Sequence, residues 1–240
     1  MENSLIKNFK LPVSLCDSNG LLSFWGAFSI FGDIACEHGT ELEVGKDDLA
    51  KSNCIWVISK TVVNFIKKPE SLKNIEVKTW PTPAGKIRCN RYYTISDDNE
   101  ILVEGKSEWA VIDATTGRPQ KISDIYPKDI EFLEDTVCNQ PFTRFNEDYT
   151  DAEIIGNYTV RYTDIDTSNH MNNVAYIRAV TGIFKELGIE EDEIYQIEIS
   201  HKLQCYEGEN LTFKTKQTEN GTEIVIIKQD GNTAAVISIR

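Results

Sequence analysis

Asp166-Thr167-Ser168-Asn169-His170-Met171-Asn172-Asn173-Val174-Ala175-Tyr176-Ile177 is a polar turn that runs straight into the apolar stripe continued by Val180, Ile183, Phe184 and Leu187. These apolar residues recur at helical spacing, and Gly188 reads as the helix stop. Upstream, Tyr158-Thr159-Val160-Arg161-Tyr162 has the alternation of β-branched and aromatic residues expected of a strand. The same design occurs earlier in the chain. Asp17 to Gly39 has the length of Asp166 to Gly188 and lies at a constant offset of 149 residues. Trp25 then falls on Val174, Phe28 on Ile177, Phe31 on Val180, Ile34 on Ile183 and Ala35 on Phe184.

Working outward, Pro69 to Lys78 resembles Cys205 to Lys214 at an offset of 136, so the first copy carries about 13 extra residues, in the region 40–52. Strand-like runs follow each helix: 54–63, 75–80, 88–96 and 101–112 in the first copy, 195–203, 211–218, 223–229 and 234–239 in the second. Turn signals separate them, at 97–100, at Glu219-Asn220-Gly221 and at Asp230-Gly231-Asn232. Each copy thus reads as one helix and an antiparallel sheet that wraps it, an α+β arrangement used twice. The expected domains are 1–130 and 150–240, joined by an acidic, Pro-containing stretch.

The polar cluster sits where a helix begins. Free N–H groups and the positive end of the dipole gather there and stabilise a developing oxyanion. Asp, Ser and Asn are also ordinary helix caps, but capping does not need His170. In the first copy Leu21 stands where His170 does and Phe24 where Asn173 does, so one chemical centre per chain is expected.

The whole chain has 240 residues, 40% of them apolar, and a formal charge of -13. That field disfavours nucleic acid. No stretch approaches the roughly 20 apolar residues of a membrane span, and the start of the sequence lacks a signal-peptide layout, which points to the cytoplasm. The six cysteines are irregularly spaced and the three histidines scattered, so reduced thiols are expected and a zinc site is not. His38 ends the first helix, where a cation suits the dipole, and His201 reads as a partly buried strand residue. Between Lys60 and Arg91 eight basic residues face two acids, a net of +6 that suits an acidic or phosphorylated partner.

The motif Asp166-Thr167-Ser168-Asn169-His170-Met171-Asn172-Asn173 with Tyr176 resembles that of the acyl-acyl-carrier-protein thioesterases. Asp17 to Gly20, Trp56 to Lys60, Lys78 to Pro81 and Ser107 to Asp113 support the resemblance in the family's order. It implies two tandem hotdog units and hydrolysis of the fatty acyl thioester on the phosphopantetheine arm of acyl carrier protein, with no cofactor. The family's Asp, Asn and His map to Asp166, Ser168 and His170, and its later Glu-Cys pair to Gln204-Cys205. Two positions therefore depart from the pattern, and an amide at 204 cannot be a base.

The resemblance and the residue chemistry together imply a mechanism. His170 takes a proton from water near neutral pH, Asp166 holds its ring, N–H groups near Asn172 and Asn173 bind the oxyanion, and Gln204 orients water or carbonyl. Alternatively Cys205 is the nucleophile, activated by His170. Trp25, Phe28 and Phe31 are candidates for the acyl-pocket wall, and Lys67, Lys68, Arg88 and Arg91 for the carrier-protein surface. An acyl-CoA thioesterase, an enoyl-thioester hydratase using Asp164 and His170, and an acyl-carrier binding module are the competing readings. The chain is expected to be a monomer or a homodimer.

Overall fold

The computed structural model describes residues 3–83, 85–98, 100–145 and 148–240. Asn99, in one of the turns read from sequence, lies outside them. The chain divides into two compact units, Met1–Gln140 and Pro141–Arg240.

In the first unit, strands β1 (Leu5–Lys10), β2 (Cys54–Phe65), β3 (Asn74–Pro81), β4 (Cys89–Asp97) and β5 (Glu100–Asp113) form an antiparallel sheet in the order β1-β3-β4-β5-β2. Helix α1 (Phe24–Glu41) packs against β3 and β2. It starts at Ser23, whose Oγ accepts the Gly26 N–H at 3.0 Å. Its stripe of Phe24, Phe28, Phe31, Ile34 and Ala35 is buried. A second helix, α2 (Lys46–Ala50), occupies the extra residues of the first copy, and Leu49 from it joins a core cluster with Leu42, Val44 and Ile122.

In the second unit, strands β6 (Glu153–Thr159), β7 (Gln196–His201), β8 (Asn210–Thr218), β9 (Gly221–Lys228) and β10 (Thr233–Ile239) are antiparallel in the order β7-β10-β9-β8-β6, with helix α3 (Asn173–Thr181) following β6. Strand for strand this is the order of the first unit.

Three differences from the sequence reading have physical reasons. Each unit opens with an edge strand, β1 or β6, so the strand expected at 158–162 lies earlier and ends at Thr159. A 3-10 turn at Tyr162–Asp164 replaces its end, because the Asp164 carboxylate accepts the Arg161 N–H at 2.8 Å and pins the turn. Helix α3 stops at Thr181, short of Ile183, Phe184 and Leu187. Thr181 and Gly182 are poor helix formers, and the chain continues through turns to Gly188 at φ +65°. There the Ile189 N–H meets the Phe184 carbonyl at 2.9 Å and the Gly188 N–H meets that of Lys185 at 3.2 Å, a Schellman pair. Helix α1, by contrast, runs past His38 and Gly39 to Glu41.

Candidate active site

The loop before α3 is held by its own backbone. The Asp166 N–H donates to the His170 carbonyl at 3.1 Å and the Asn169 N–H to the Asp166 carbonyl at 3.0 Å, with Asn169 left-handed at φ +62°. The Asn172 N–H donates to the Asp164 carbonyl at 2.8 Å, and its Oδ1 caps α3 by accepting the Val174 N–H at 2.8 Å. The Met171 N–H reaches the Cys205 carbonyl at 2.7 Å, which ties this loop to the segment after β7.

The first unit makes the same loop. Asp17 pairs with Leu21 through N–H to carbonyl at 2.8 Å, Gly20 is left-handed at φ +75°, and the Leu22 N–H reaches the Pro69 carbonyl at 2.8 Å. This repetition bears on the role of Asp166. Its Oδ1 accepts the Ser168 N–H at 2.7 Å, as Asp17 Oδ1 accepts the Asn19 N–H at 2.9 Å. Leu21 occupies the histidine's place in the first unit, so an Asp here builds the turn whether or not a histidine follows. The expected bond from Asp166 to the His170 ring is accordingly replaced: His170 Nδ1 faces the Met171 carbonyl at 3.3 Å. With the proton on Nδ1 and directed at that carbonyl, the Nε2 lone pair is the ring's acceptor.

Other expected site residues are also redistributed. The Asn172 N–H is already committed to the Asp164 carbonyl, whereas Asn173 is half-buried in the first turn of α3. Ser168 is exposed on the turn. Gln204 is exposed too, and its Oε1 accepts the Tyr206 hydroxyl at 3.0 Å rather than facing the cluster. Tyr206 lies under Lys228 Nζ, 5.5 Å from its ring centre, and Lys228 pairs with Glu209 at 2.9 Å.

Cys205 is fully buried, and burial raises its thiol above the ordinary range; the nearby Tyr176 hydroxyl and Lys228 offset part of this. A buried, protonated thiol is a poor nucleophile. We expect Cys205→Ala to leave kcat/KM within a few-fold of the wild type and native Cys205 to resist iodoacetamide at neutral pH. Loss of turnover in that variant, with its fold intact, would restore the thiol to the mechanism.

Two residues that sequence reasoning did not place in the site join it. Tyr176, buried on α3, sits edge-on to His201 with ring centres 5.2 Å apart, and burial raises its phenol, with Cys205 adding to the shift. His201 is half-buried at the end of β7, and its pKa falls to about 4, first through desolvation and then through the charge of His170. The available signal was the alternation Ile197, Ile199, His201, which puts the histidine on the face of two buried isoleucines of β7. An unfolded histidine titrates near 6.5. The unfolded chain therefore binds the extra proton between about 6.5 and about 4, so stability is full above 6.5 and is lost as pH falls through that window, at up to ~1.4 kcal/mol per pH unit. Urea melts at pH 7 and pH 5 check this: the gap between midpoints is expected to be smaller in His201→Gln than in the wild type.

The first-unit residues divide as sharply. Phe28 and Phe31 are buried and Trp25 half-buried on α1. Phe31 stacks on Tyr93, centroids 4.6 Å apart and planes at 18°, and a Cβ on Gly105 would overlap its ring. Lys67 is exposed, and Arg88 is exposed while pairing with Glu108 at 3.1 Å. Lys68 turns inward towards Asp17 at 3.7 Å and over the Phe24 ring at 5.4 Å. Arg91 is not a surface residue at all. It is 5% exposed, and its Nη1 donates to His38 Nδ1 at 2.9 Å and to Thr79 Oγ1 at 3.2 Å. A guanidinium has only donors, so His38, itself buried, presents Nδ1 as acceptor instead of meeting the helix end as a cation. Strand β4 is buried on both faces, which sequence alternation alone does not reveal.

Among the described residues no three metal-ligating side chains cluster, and no helix is long and apolar enough to cross a membrane. The palmitoyl-acyl carrier protein thioesterase of Cuphea hookeriana is 29% identical over 66% of this chain and 40% of its own length. The oleoyl-acyl carrier protein thioesterase 2 of Arabidopsis thaliana is 22% identical over 86% and 61%. The chain spans less than half the length of the first curated relatives it matches. Among solved structures, an acyl-ACP thioesterase from Bacteroides thetaiotaomicron superposes with a TM-score of 0.80 at 21% identity, covering 99% of this chain and 97% of its own. The 12:0-ACP thioesterase of Umbellularia californica does so with 0.78 at 16% identity, covering 100% and 97%. They share the tandem hotdog fold described above. The models of the acyl-ACP thioesterase N-terminal domain and C-terminal domain match residues 2–130 and 147–240, and with these two matches the chain belongs to the acyl-ACP thioesterase family.

Proposed function

We propose that this protein hydrolyses the thioester of fatty acyl chains carried on acyl carrier protein, releasing the free acid and ending chain elongation. The observation that carries this reading is His170, set on a hydrogen-bonded loop at the amino end of α3 with Nδ1 turned to a backbone carbonyl. Nε2 of His170 takes a proton from water as the oxygen adds to the carbonyl carbon. The oxyanion forms beside the first turn of α3, where Asn173 lies. Collapse of the tetrahedral species breaks the C–S bond, and the proton returns to the departing phosphopantetheine thiolate. Water is the nucleophile we favour, because the Cys205 thiol is buried with its pKa raised.

A hydratase using Asp164 is less well supported. That carboxylate already accepts the Tyr158 hydroxyl and the Arg161 N–H, both at 2.8 Å. Trp25 and Phe28 remain the candidates for the acyl-pocket wall. Of the four carrier-surface candidates Lys67, Lys68, Arg88 and Arg91, the exposed ones are Lys67 and Arg88.

The test is hydrolysis of a chain-length series of acyl carrier protein esters beside the matching CoA esters. Preferential turnover of the carrier-protein series supports the proposal. Equal rates on the two series would instead indicate an acyl-CoA thioesterase, and tight acyl-carrier binding without turnover a binding module.

A further inference from the structure

The loop that follows the long strand β2 is built twice, and the two copies differ at one position in a way the fold does not require. In the second unit the Gly208 N–H donates to the Val160 carbonyl at 2.9 Å, and the Val160 N–H to the Glu209 carbonyl at 2.9 Å. In the first unit the Leu72 N–H donates to the Leu11 carbonyl at 2.9 Å, and the Leu11 N–H to the Lys73 carbonyl at 2.9 Å. Both central residues are left-handed, Gly208 at φ +82° and Leu72 at φ +65°. Glycine takes this conformation without penalty, whereas a side chain with a Cβ is strained there. The second unit uses the residue the backbone prefers; the first places a leucine there and leaves it 63% exposed.

Packing does not account for that leucine, since its side chain faces solvent. Ile66 and Val13 are exposed at 63% and 60%, one at the start of the same loop and one two residues past Leu11. On the same loop Lys67 and Lys73 are exposed, as is the acid Glu70, and Lys10 is exposed at the end of β1, opposite Asn74. On a chain of net charge -13, three exposed lysines against one exposed acid, on the segments that carry the protruding apolar side chains, are a local exception. Strain kept at an exposed position points to a function outside the fold, and apolar residues rimmed by one sign of charge mark a protein-binding surface.

We propose that Leu72, with Ile66, Val13 and the lysines Lys67, Lys73 and Lys10, is the point at which the acidic carrier protein docks. Leu72 enters an apolar cleft between the carrier's acidic side chains, and the lysines pair with its rim. The inference rests on the acyl-carrier reading above and adds the surface that recognises the carrier.

Leu72→Gly is the decisive variant, because it restores the residue that the backbone prefers and is expected to keep or raise stability. The carrier's Kd is measured by anisotropy with labelled acyl carrier protein, and turnover is followed with both acyl carrier protein esters and acyl-N-acetylcysteamine, a thioester with no carrier. The expected result is a Kd for the carrier, and a KM for its ester, roughly tenfold higher, from loss of one buried leucine. Carrier-free turnover stays unchanged, and Lys67→Glu with Lys73→Glu gives a similar, salt-sensitive weakening. An unchanged carrier Kd in Leu72→Gly overturns the docking site while leaving the hydrolase reading intact. So does a variant that loses only its affinity for anionic lipid vesicles, which would assign the patch to a membrane surface. A wild type that hydrolyses the carrier ester no better than the carrier-free one overturns the acyl-carrier reading itself.

Discussion

His170→Gln is expected to lower kcat/KM for the acyl carrier protein ester by about 10²- to 10⁴-fold, the usual worth of a positioned general base. Glutamine keeps a side chain of similar reach and can still hydrogen-bond, but it cannot accept a proton near neutral pH. The fold should survive the change. In the first unit Leu21 occupies the equivalent place in a loop with the same backbone bonds, so the loop does not depend on the imidazole. Steady-state kinetics together with urea melts test both parts. Wild-type turnover in a folded His170→Gln protein would remove His170 from the chemistry. A fall in activity matched by a fall in stability would mean that the residue is structural.

Phe31→Ala is expected to cost about 3–5 kcal/mol of stability, the range for truncating a buried phenylalanine. Phe31 is 2% exposed, stacks on Tyr93 and lies directly on the Gly105 backbone, so its removal opens a void between α1 and two central strands. The surroundings cannot easily collapse: Tyr93 is anchored by its hydroxyl to Ser107 Oγ at 2.7 Å, which also accepts Trp109 Nε1–H at 2.6 Å. Urea unfolding measures the loss. The chain-length series run on the same variant separates packing from substrate contact. A uniform fall across lengths is the expected outcome, whereas a preference moved to longer chains would place Phe31 at the closed end of the acyl pocket.

The duplicated architecture was legible because it is carried by local periodicity. Helical spacing in 174–180 and 24–35, alternation in the strand runs and glycine at turns are properties of neighbouring residues, and an offset that aligns Asp17 with Asp166 requires no knowledge of contacts. Details failed where a local device competes with the period. The Asp164 cap ended a strand early, and Thr181-Gly182 interrupted a helix whose apolar stripe continued past it.

The loop that carries His170 was legible, and the contacts around it were not. His170 and the capping role of Asn172 follow from a polar cluster at a helix start, whereas Asp166 was assigned to the histidine when its carboxylate holds the turn. The contacts behind that loop join residues distant in sequence. Tyr176 and His201 meet through the packing of α3 near the end of β7, and Met171 is tied to Cys205 across 34 positions. No spacing rule encodes such approaches.

The sequence by itself determined the two helix-and-sheet units, the loop that presents His170 and the excess of basic residues between 60 and 91, since each of these is written in residues close along the chain. Only the tertiary structure decided which of those charges face solvent. Arg91 and Lys68 carry the same formal charge as Lys67 and Lys73, but burial of a cation is tolerated only where fixed acceptors replace water, and those acceptors, His38, Thr79 and Asp17, are brought up by folding.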